Sequence, residues 1–203
     1  MRLFFWILIG LAGWGAYNFF FGVTHAALAP DPPLQSNLAA GEVPPWTYNS
    51  CTFTALARYD ITARILHRRD YPAGSDAFAS VCPVDFALGW GRMSDPTVYN
   101  KLEIGQISRH YAWEVSLFNT SYLPPIPEDE ISCSSANTHV IPADAEIGGR
   151  LSSFTTGDVI KLSGYLVHIL GPNWECRSSL VRTDTGDGAC EVMWVSQASK
   201  VGR

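Results

Sequence analysis

Asp158-Val159-Ile160-Lys161-Leu162-Ser163-Gly164-Tyr165-Leu166-Val167-His168-Ile169 is the clearest strand in the chain, and Thr156-Gly157 before it supplies a turn. Val, Ile and Tyr suit a pleated, half-buried surface, so a run rich in them and bounded by turn residues reads as a strand. Gly164 interrupts the run, and a glycine inside a strand marks a bulge, a bend or a close backbone approach. A bent strand after a Gly-Asp turn is the local feature that points to a small closed sheet.

Working outward, Ala55 to His67 alternates in part, with Ile61, Ala63 and Ile65 on one side of an extended chain. Val84 to Trp90 is a second strand candidate whose Gly89-Trp90-Gly91 ending suggests a bend. Ser94-Asp95-Pro96 offers an N-cap and a first-turn proline, predicting a short helix over 96 to 102. Ile104 to Val115 reads as extended, with Tyr111 and Trp113 on one face. Pro124-Pro125-Ile126-Pro127 forbids regular structure. A strand is expected within Ile131 to Ile141, then a helix opened by Pro142-Ala143-Asp144 and ending near Leu151. Trp174 to Arg182 and Ala189 to Val195 flank Thr183-Asp184-Thr185-Gly186-Asp187-Gly188, the composition of a β-hairpin turn. Together these elements predict a mainly β (α+β) domain, a small OB-like β-barrel with two short helices, over residues 51–203.

Ahead of that domain, Leu3 to Val23 carries no charge and only Asn18 as a strongly polar side chain. At 1.5 Å per residue, about 20 such residues span a hydrocarbon core of roughly 30 Å, so residues 1–23 are expected to be a transmembrane anchor. Arg2 precedes the run and no Lys or Arg follows before Arg58, which favours an N-inside, C-outside orientation. A cleaved signal peptide, cut near Thr24-His25-Ala26 or Ala27-Leu28-Ala29, is the competing reading, although the apolar run exceeds the usual signal core. Both readings export the domain. Residues 24–50 hold Pro30, Pro32, Pro33, Pro44 and Pro45 and read as a proline-rich linker.

Removing Arg2 from the 14 basic residues leaves 13 against 19 acidic ones, so the exported part is acidic. No nucleic-acid partner is expected, because phosphate neutralisation needs a basic surface. Cys51, Cys82, Cys133, Cys176 and Cys190 are too scattered for a CxxC metal knuckle, so neither metal nor cofactor is expected. Export permits disulfides. A bridge among Cys51, Cys82 and Cys133 is open, whereas a regular C-terminal hairpin would hold Cys176 too far along its strand from Cys190 to be bridged.

Two constellations could carry chemistry. Ser134-Ser135-Ala136-Asn137-Thr138-His139 surrounds an imidazole with small polar groups, and His139 assisted by Asp85 or Asp144 would make a general base for hydrolysis. No GxSxG elbow or HExxH helix accompanies it, and a packed polar contact is the plainer reading of His139. Trp90 beside Arg92, with Gly89 and Gly91 allowing close approach, is the candidate ligand face. Arg177 and Arg182 on the expected hairpin would add charge-assisted hydrogen bonds, although with Asp184, Asp187 and Glu191 they would equally neutralise one another. A thiol-dependent role would need an exposed cysteine of lowered pKa.

The stretches Pro83 to Asp95 (PVDFALGWGRMSD), Ser135 to Asp144 (SANTHVIPAD) and Arg177 to Val195 (RSSLVRTDTGDGACEVMWV) resemble those of a family of bacterial membrane-anchored proteins. The likeness covers roughly residues 52–197. It implies a bacterial inner-membrane protein with one span and a C-terminal periplasmic domain, and carries no catalytic assignment. The expectation is therefore a membrane-anchored periplasmic module that binds a protein or envelope ligand, with a hydrolase using His139 and Asp85 as the alternative.

Overall fold

The computed structural model describes residues 28–119, 121–181, 184 and 188–202. The candidate membrane segment lies outside the described residues, and among the described residues no helix is long and apolar enough to cross a membrane. The described chain is mainly β.

Its organiser is β3 (Cys51–Asp70), a strand long enough to serve two sides of the sheet at once. One edge of β3 receives, in order, β2 (Trp46–Tyr48) opposite 51–53, β1 (Leu34–Asn37) opposite 57–60, and β4 (Val84–Gly89) opposite 64–70. Its other edge pairs antiparallel with β8 (Val159–Leu170) from Thr52 to Arg64. Two short strands thus arise within the stretch expected as a linker. Its prolines fall between them, at Pro44 and Pro45, and before them, where no ladder N–H is required.

Antiparallel β4 and β7 (Ser135–Pro142), parallel β7 and β10 (Glu191–Lys200), and antiparallel β10 and β8 complete the set of pairings. The ladder β3–β4–β7–β10–β8 therefore returns to β3. Inside this circuit lie Tyr59, Ile61, Ile65, Phe86, Leu88, Val140, Ile160, Leu162, Leu166, Met193 and Val195, all buried. The period-two alternation along each strand sends the intervening side chains outward.

The expected helix after Pro142 is α3 (Ala145–Ser152), with Asp144 capping it by accepting a hydrogen bond from the Ile147 N–H at 2.8 Å. Ile147 and Leu151 drop into the main core, so this helix closes one end of the circuit between β7 and β8. Two shorter helices, α1 (Pro96–Tyr99) and α2 (Glu128–Cys133), lie in the connection between β4 and β7. Asp95 caps α1 as expected, but the helix stops at Tyr99 rather than reaching 102.

Three sequence expectations need correction. Residues 104–115 form two strands, β5 (Leu102–Ile107) and β6 (His110–Val115), paired as a hairpin. Its turn residues Ser108 and Arg109 both sit at positive φ, 49° and 66°, as a two-residue hairpin turn of matching twist requires. Second, β9 (Glu175–Arg177) pairs with β8 and not with β10 as the expected C-terminal hairpin requires, and residues 182–183 and 185–187 of its turn lie outside the described residues. β10 instead pairs with β7 along 191–195 and with β8 along 193–200, while Ser179 N–H donates to the Cys190 carbonyl at 3.0 Å just ahead of it. Third, all five cysteines are free thiols; the bridge considered among Cys51, Cys82 and Cys133 is not made.

Gly164 fulfils the role suggested by its place in the strand. It stands opposite Val195, where the β10 register shifts between Val195 and Gln197, and an added Cβ would run into the Trp194 carbonyl oxygen. Backbone on the facing strand cannot step aside as a side-chain tip can. Gly164→Ala is accordingly expected to destabilise the domain by about 3 kcal/mol. Gly149→Ala, in open space on α3, should instead stabilise by about 0.5 kcal/mol through helix propensity. Denaturation midpoints of the two variants test the pair; equal shifts would reject this account of Gly164.

Candidate functional site

The outward-facing residues of β4 and β7 are unusual for a sheet surface because they are polar and buried. Asp85 and His139 are directly opposed across the two strands, as are Ala87 and Asn137, and Gly89 and Ser135. Asp85, Asn137, Ser135 and His139 are each less than a tenth exposed. They are covered by the β5–β6 hairpin and by the β3–β4 loop that contains Phe78 and Cys82.

The hairpin reaches this face through three polar side chains, which meet Ser135, Asn137 and Asp85. The Tyr111 hydroxyl meets Ser135 Oγ at 3.0 Å. The Gln106 amide donates to Asn137 Oδ1, and its carbonyl oxygen lies 2.9 Å from His67 Nδ1. Arg109 donates from Nη1 to Asp85 Oδ1 at 2.9 Å and from Nη2 to the Cys82 carbonyl at 3.1 Å. Its Nε also donates to Asp76 Oδ2 at 2.9 Å. Tyr71 lies flat against the guanidinium, 3.6 Å from ring centroid to Cζ, with the Phe78 ring at 4.9 Å. Asn137 returns a bond from Nδ2 to the Arg109 carbonyl at 2.8 Å, holding the strained turn in place.

His139 Nδ1 is 2.9 Å from Asp85 Oδ1, an ion pair when the imidazole is protonated. Burial opposes charge on this imidazole. The Asp85 carboxylate and Cys190 beside it outweigh that penalty and raise its pKa to about 9, keeping it cationic at neutral pH. The Cys82 thiol moves the other way for reactivity: burial, then Asp85, pushes it well above its ordinary value. Burial likewise raises Cys176 to about 11 and lifts Cys51. None of these three is an activated thiolate.

Cys82, Asp85 and His139 place their ligating atoms within 4.8 Å of one another, the compactness of a metal centre. The arrangement already contains its cation, however. Arg109 Nη1 lies 3.5 Å from Cys82 Sγ as well as 2.9 Å from Asp85. A thiol held protonated beside a guanidinium and an imidazolium is a poor metal ligand, so we read the cluster as neutralised from within.

Comparison of the chain with protein-family models, curated proteins and solved structures gives no match. The motif resemblance seen in the sequence adds no residue role, and the site is read from its own geometry.

The structure thus brings His139 and Asp85 together, but under cover. The ligand face expected from Trp90, Arg92, Arg177 and Arg182 does not assemble. Trp90 is 4% exposed, its indole packed in the main core rather than offered as a platform. Arg92 is exposed and pairs with Glu130. Arg177, on β9, stands across β8 from the start of β3, whereas Trp90 follows the strand that pairs with its far end. Arg182 lies outside the described residues. Arg109, Cys82, Gln106 and Tyr71 were not legible as site residues. Ser108-Arg109 lacks the Asn-Gly or Asp-Gly signature that would have marked a tip.

Two outcomes follow from this geometry. Arg109→Met, leaving Asp85 buried beside an aliphatic chain, should cost about 3 kcal/mol, whereas pairing it with Asp85→Asn should cost clearly less than the sum of the singles. Additive losses in a urea-denaturation cycle would show that the ion pair is not the contact that matters. For His139 the folded pKa is raised, so its stabilising contribution is complete below about pH 6.5 and is lost as pH climbs through about 9. Relative to His139→Gln, the wild type should lose on the order of 2 kcal/mol between those limits. Parallel stability curves for the two proteins would contradict a cationic His139.

Proposed function

We propose that this chain is a membrane-anchored binding module, exported to the bacterial periplasm, whose domain is an OB-like barrel engaging a protein or envelope ligand. The uncharged run from Leu3 to Val23 and its flanking charge asymmetry support the anchor and its orientation. The closed circuit β3–β4–β7–β10–β8, with one parallel pairing and α3 between its third and fourth strands in chain order, supports the OB-like reading.

The observation that carries binding is an aromatic patch on the outside of β2, β3, β8 and β10. Trp46 stacks on Phe53 with centroids 5.7 Å apart, and Trp194 meets Trp46, Tyr48 and Phe53 edge-on at 5.3, 5.2 and 5.0 Å. Tyr165 adjoins Trp46, and the Arg58 guanidinium sits 5.6 Å from the Tyr165 centroid. Phe53 is buried, whereas Trp46, Tyr48, Tyr165 and Trp194 keep partial exposure. Rigid, half-exposed aromatics beside a cation give a ligand large contact area at little entropic cost. This patch takes the place of the Trp90 face as our candidate surface.

One observation favours the hydrolase alternative, the 2.9 Å approach of His139 to Asp85. Against it stand the covered site, an imidazole that is already protonated and so unable to act as a base near neutrality, and a neighbouring thiol held protonated. The binding reading is the stronger.

Photocrosslinking in intact envelopes tests it. Arg58→Ala and Tyr165→Ala, which trim the exposed rim of the patch, should reduce the yield of the captured partner roughly tenfold. Arg92→Ala should leave it unchanged. Retention of capture in both rim variants, with native near-ultraviolet dichroism, would reject the patch.

A further inference from the structure

From Val115 to Pro127 the sequence Val-Ser-Leu-Phe-Asn-Thr-Ser-Tyr-Leu-Pro-Pro-Ile-Pro has no charged side chain. It connects β6 to α2 and exposes apolar groups to an extent found nowhere else among the described residues. Phe118 is 92% exposed, Leu117 79%, Tyr122 73% and Leu123 67%. A loop of this composition ordinarily turns its large side chains inward and its backbone toward water. Here the relation is reversed.

Among its described residues, several backbone N–H groups find partners within the loop or on β5 beneath it. Leu117 N–H donates to Glu103 Oε1, Phe118 N–H to Ser116 Oγ, and Asn119 N–H to the Ser116 carbonyl. Ser121 N–H donates to Asn119 Oδ1, Tyr122 N–H to the Asn119 carbonyl, and Leu123 N–H to Ser121 Oγ. The Asn119 amide and the Ser121 hydroxyl both donate to the Leu123 carbonyl. Pro124 and Pro125 have no N–H to satisfy. A segment whose described N–H groups are paired and whose apolar side chains are turned out is suited to a surface of lowered dielectric, where an unpaired amide costs several kcal/mol.

Its position suits the same surface. Ser116 is tied back to the Lys101 carbonyl at 2.9 Å, and Ile126 packs in one cluster with Met93 and Leu102. The residue after Met93, Ser94, accepts a hydrogen bond at Oγ from Ala29 N–H at 3.1 Å, and Gly91 N–H donates to the Ala29 carbonyl at 2.7 Å. The chain coming from the uncharged run 3–23 therefore joins the domain beside the base of this loop.

We propose that the 117–123 loop is a second membrane contact, its Leu117, Phe118, Tyr122 and Leu123 side chains seated at the headgroup boundary of the bilayer that holds the N-terminal segment. The contact orients the domain and leaves the aromatic patch for a ligand. It deepens the anchored reading and rests on it. Glu128, Asp129 and Glu130 flank the loop and favour a zwitterionic over an anionic surface.

The test uses the full chain reconstituted in phosphatidylcholine vesicles, with Phe118→p-benzoylphenylalanine in one preparation and Leu170→p-benzoylphenylalanine, at an exposed site near the other end of the sheet, in a second. Flotation reports anchoring, and mass spectrometry after irradiation reports what each position touches. The expected result is flotation of both, with lipid adducts roughly tenfold more abundant at 118 than at 170. Flotation with equal adducts, or with position 118 crosslinked to a second protein chain, overturns the loop contact while the anchor stands. Failure of both to float overturns the anchor, and the loop contact with it.

Discussion

Arg109 is the contact on which the arrangement around β4 and β7 depends. It stands at a strained hairpin tip, yet it answers the charge of a carboxylate that is fully buried on the neighbouring sheet. Removing a carboxylate from water is costly, and the cost is offset only when counter-charge and hydrogen bonds are supplied in good geometry. The guanidinium supplies both to Asp85 while Tyr71 and Phe78 shield its faces. Because Asp85 also stands against His139, the same residue decides how an imidazole, a thiol and two strands share one small volume.

This logic separates proximity from chemistry. A buried carboxylate beside a histidine has the outline of an acid-base pair, and with a cysteine added it has the outline of a metal centre. In each case the outline fails on protonation: the imidazole is kept charged and the thiol is kept neutral. The cluster works as a clasp between the hairpin and the sheet. The surfaces we propose for other molecules lie elsewhere, in the aromatic patch over β2 and β10 and in the uncharged loop after β6.

Much of this architecture was legible where local chemistry and tertiary context agree. The strand around Gly164, the helix starts at Asp95 and Asp144 and the pairing of Asp85 with His139 all show in the sequence, since each depends on pattern or on residue type. The failures share a different cause. Thr183 to Gly188 has turn chemistry, but the strand before it, β9, takes β8 as its partner, a choice that belongs to the assembled sheet. The β5–β6 tip lacked turn chemistry and formed because Asp85 and Asn137 hold Arg109 from outside. Trp90, between two glycines, looked accessible, yet its environment is set by the circuit closing around it. Edge occupancy and long-range anchoring are properties of the assembled sheet, and no window of neighbouring residues contains them.

The parallel pairing of β7 with β10 has a consequence for how the molecule comes into being. Strands that are adjacent in space here are separated by more than fifty positions in the chain, and the later one supplies both remaining ladders of the ring. The ring therefore cannot close until β10 has joined β7 and β8, and the apolar faces of the earlier strands stay uncovered until then. Closure of the circuit thus hinges on the strand that arrives last in the chain.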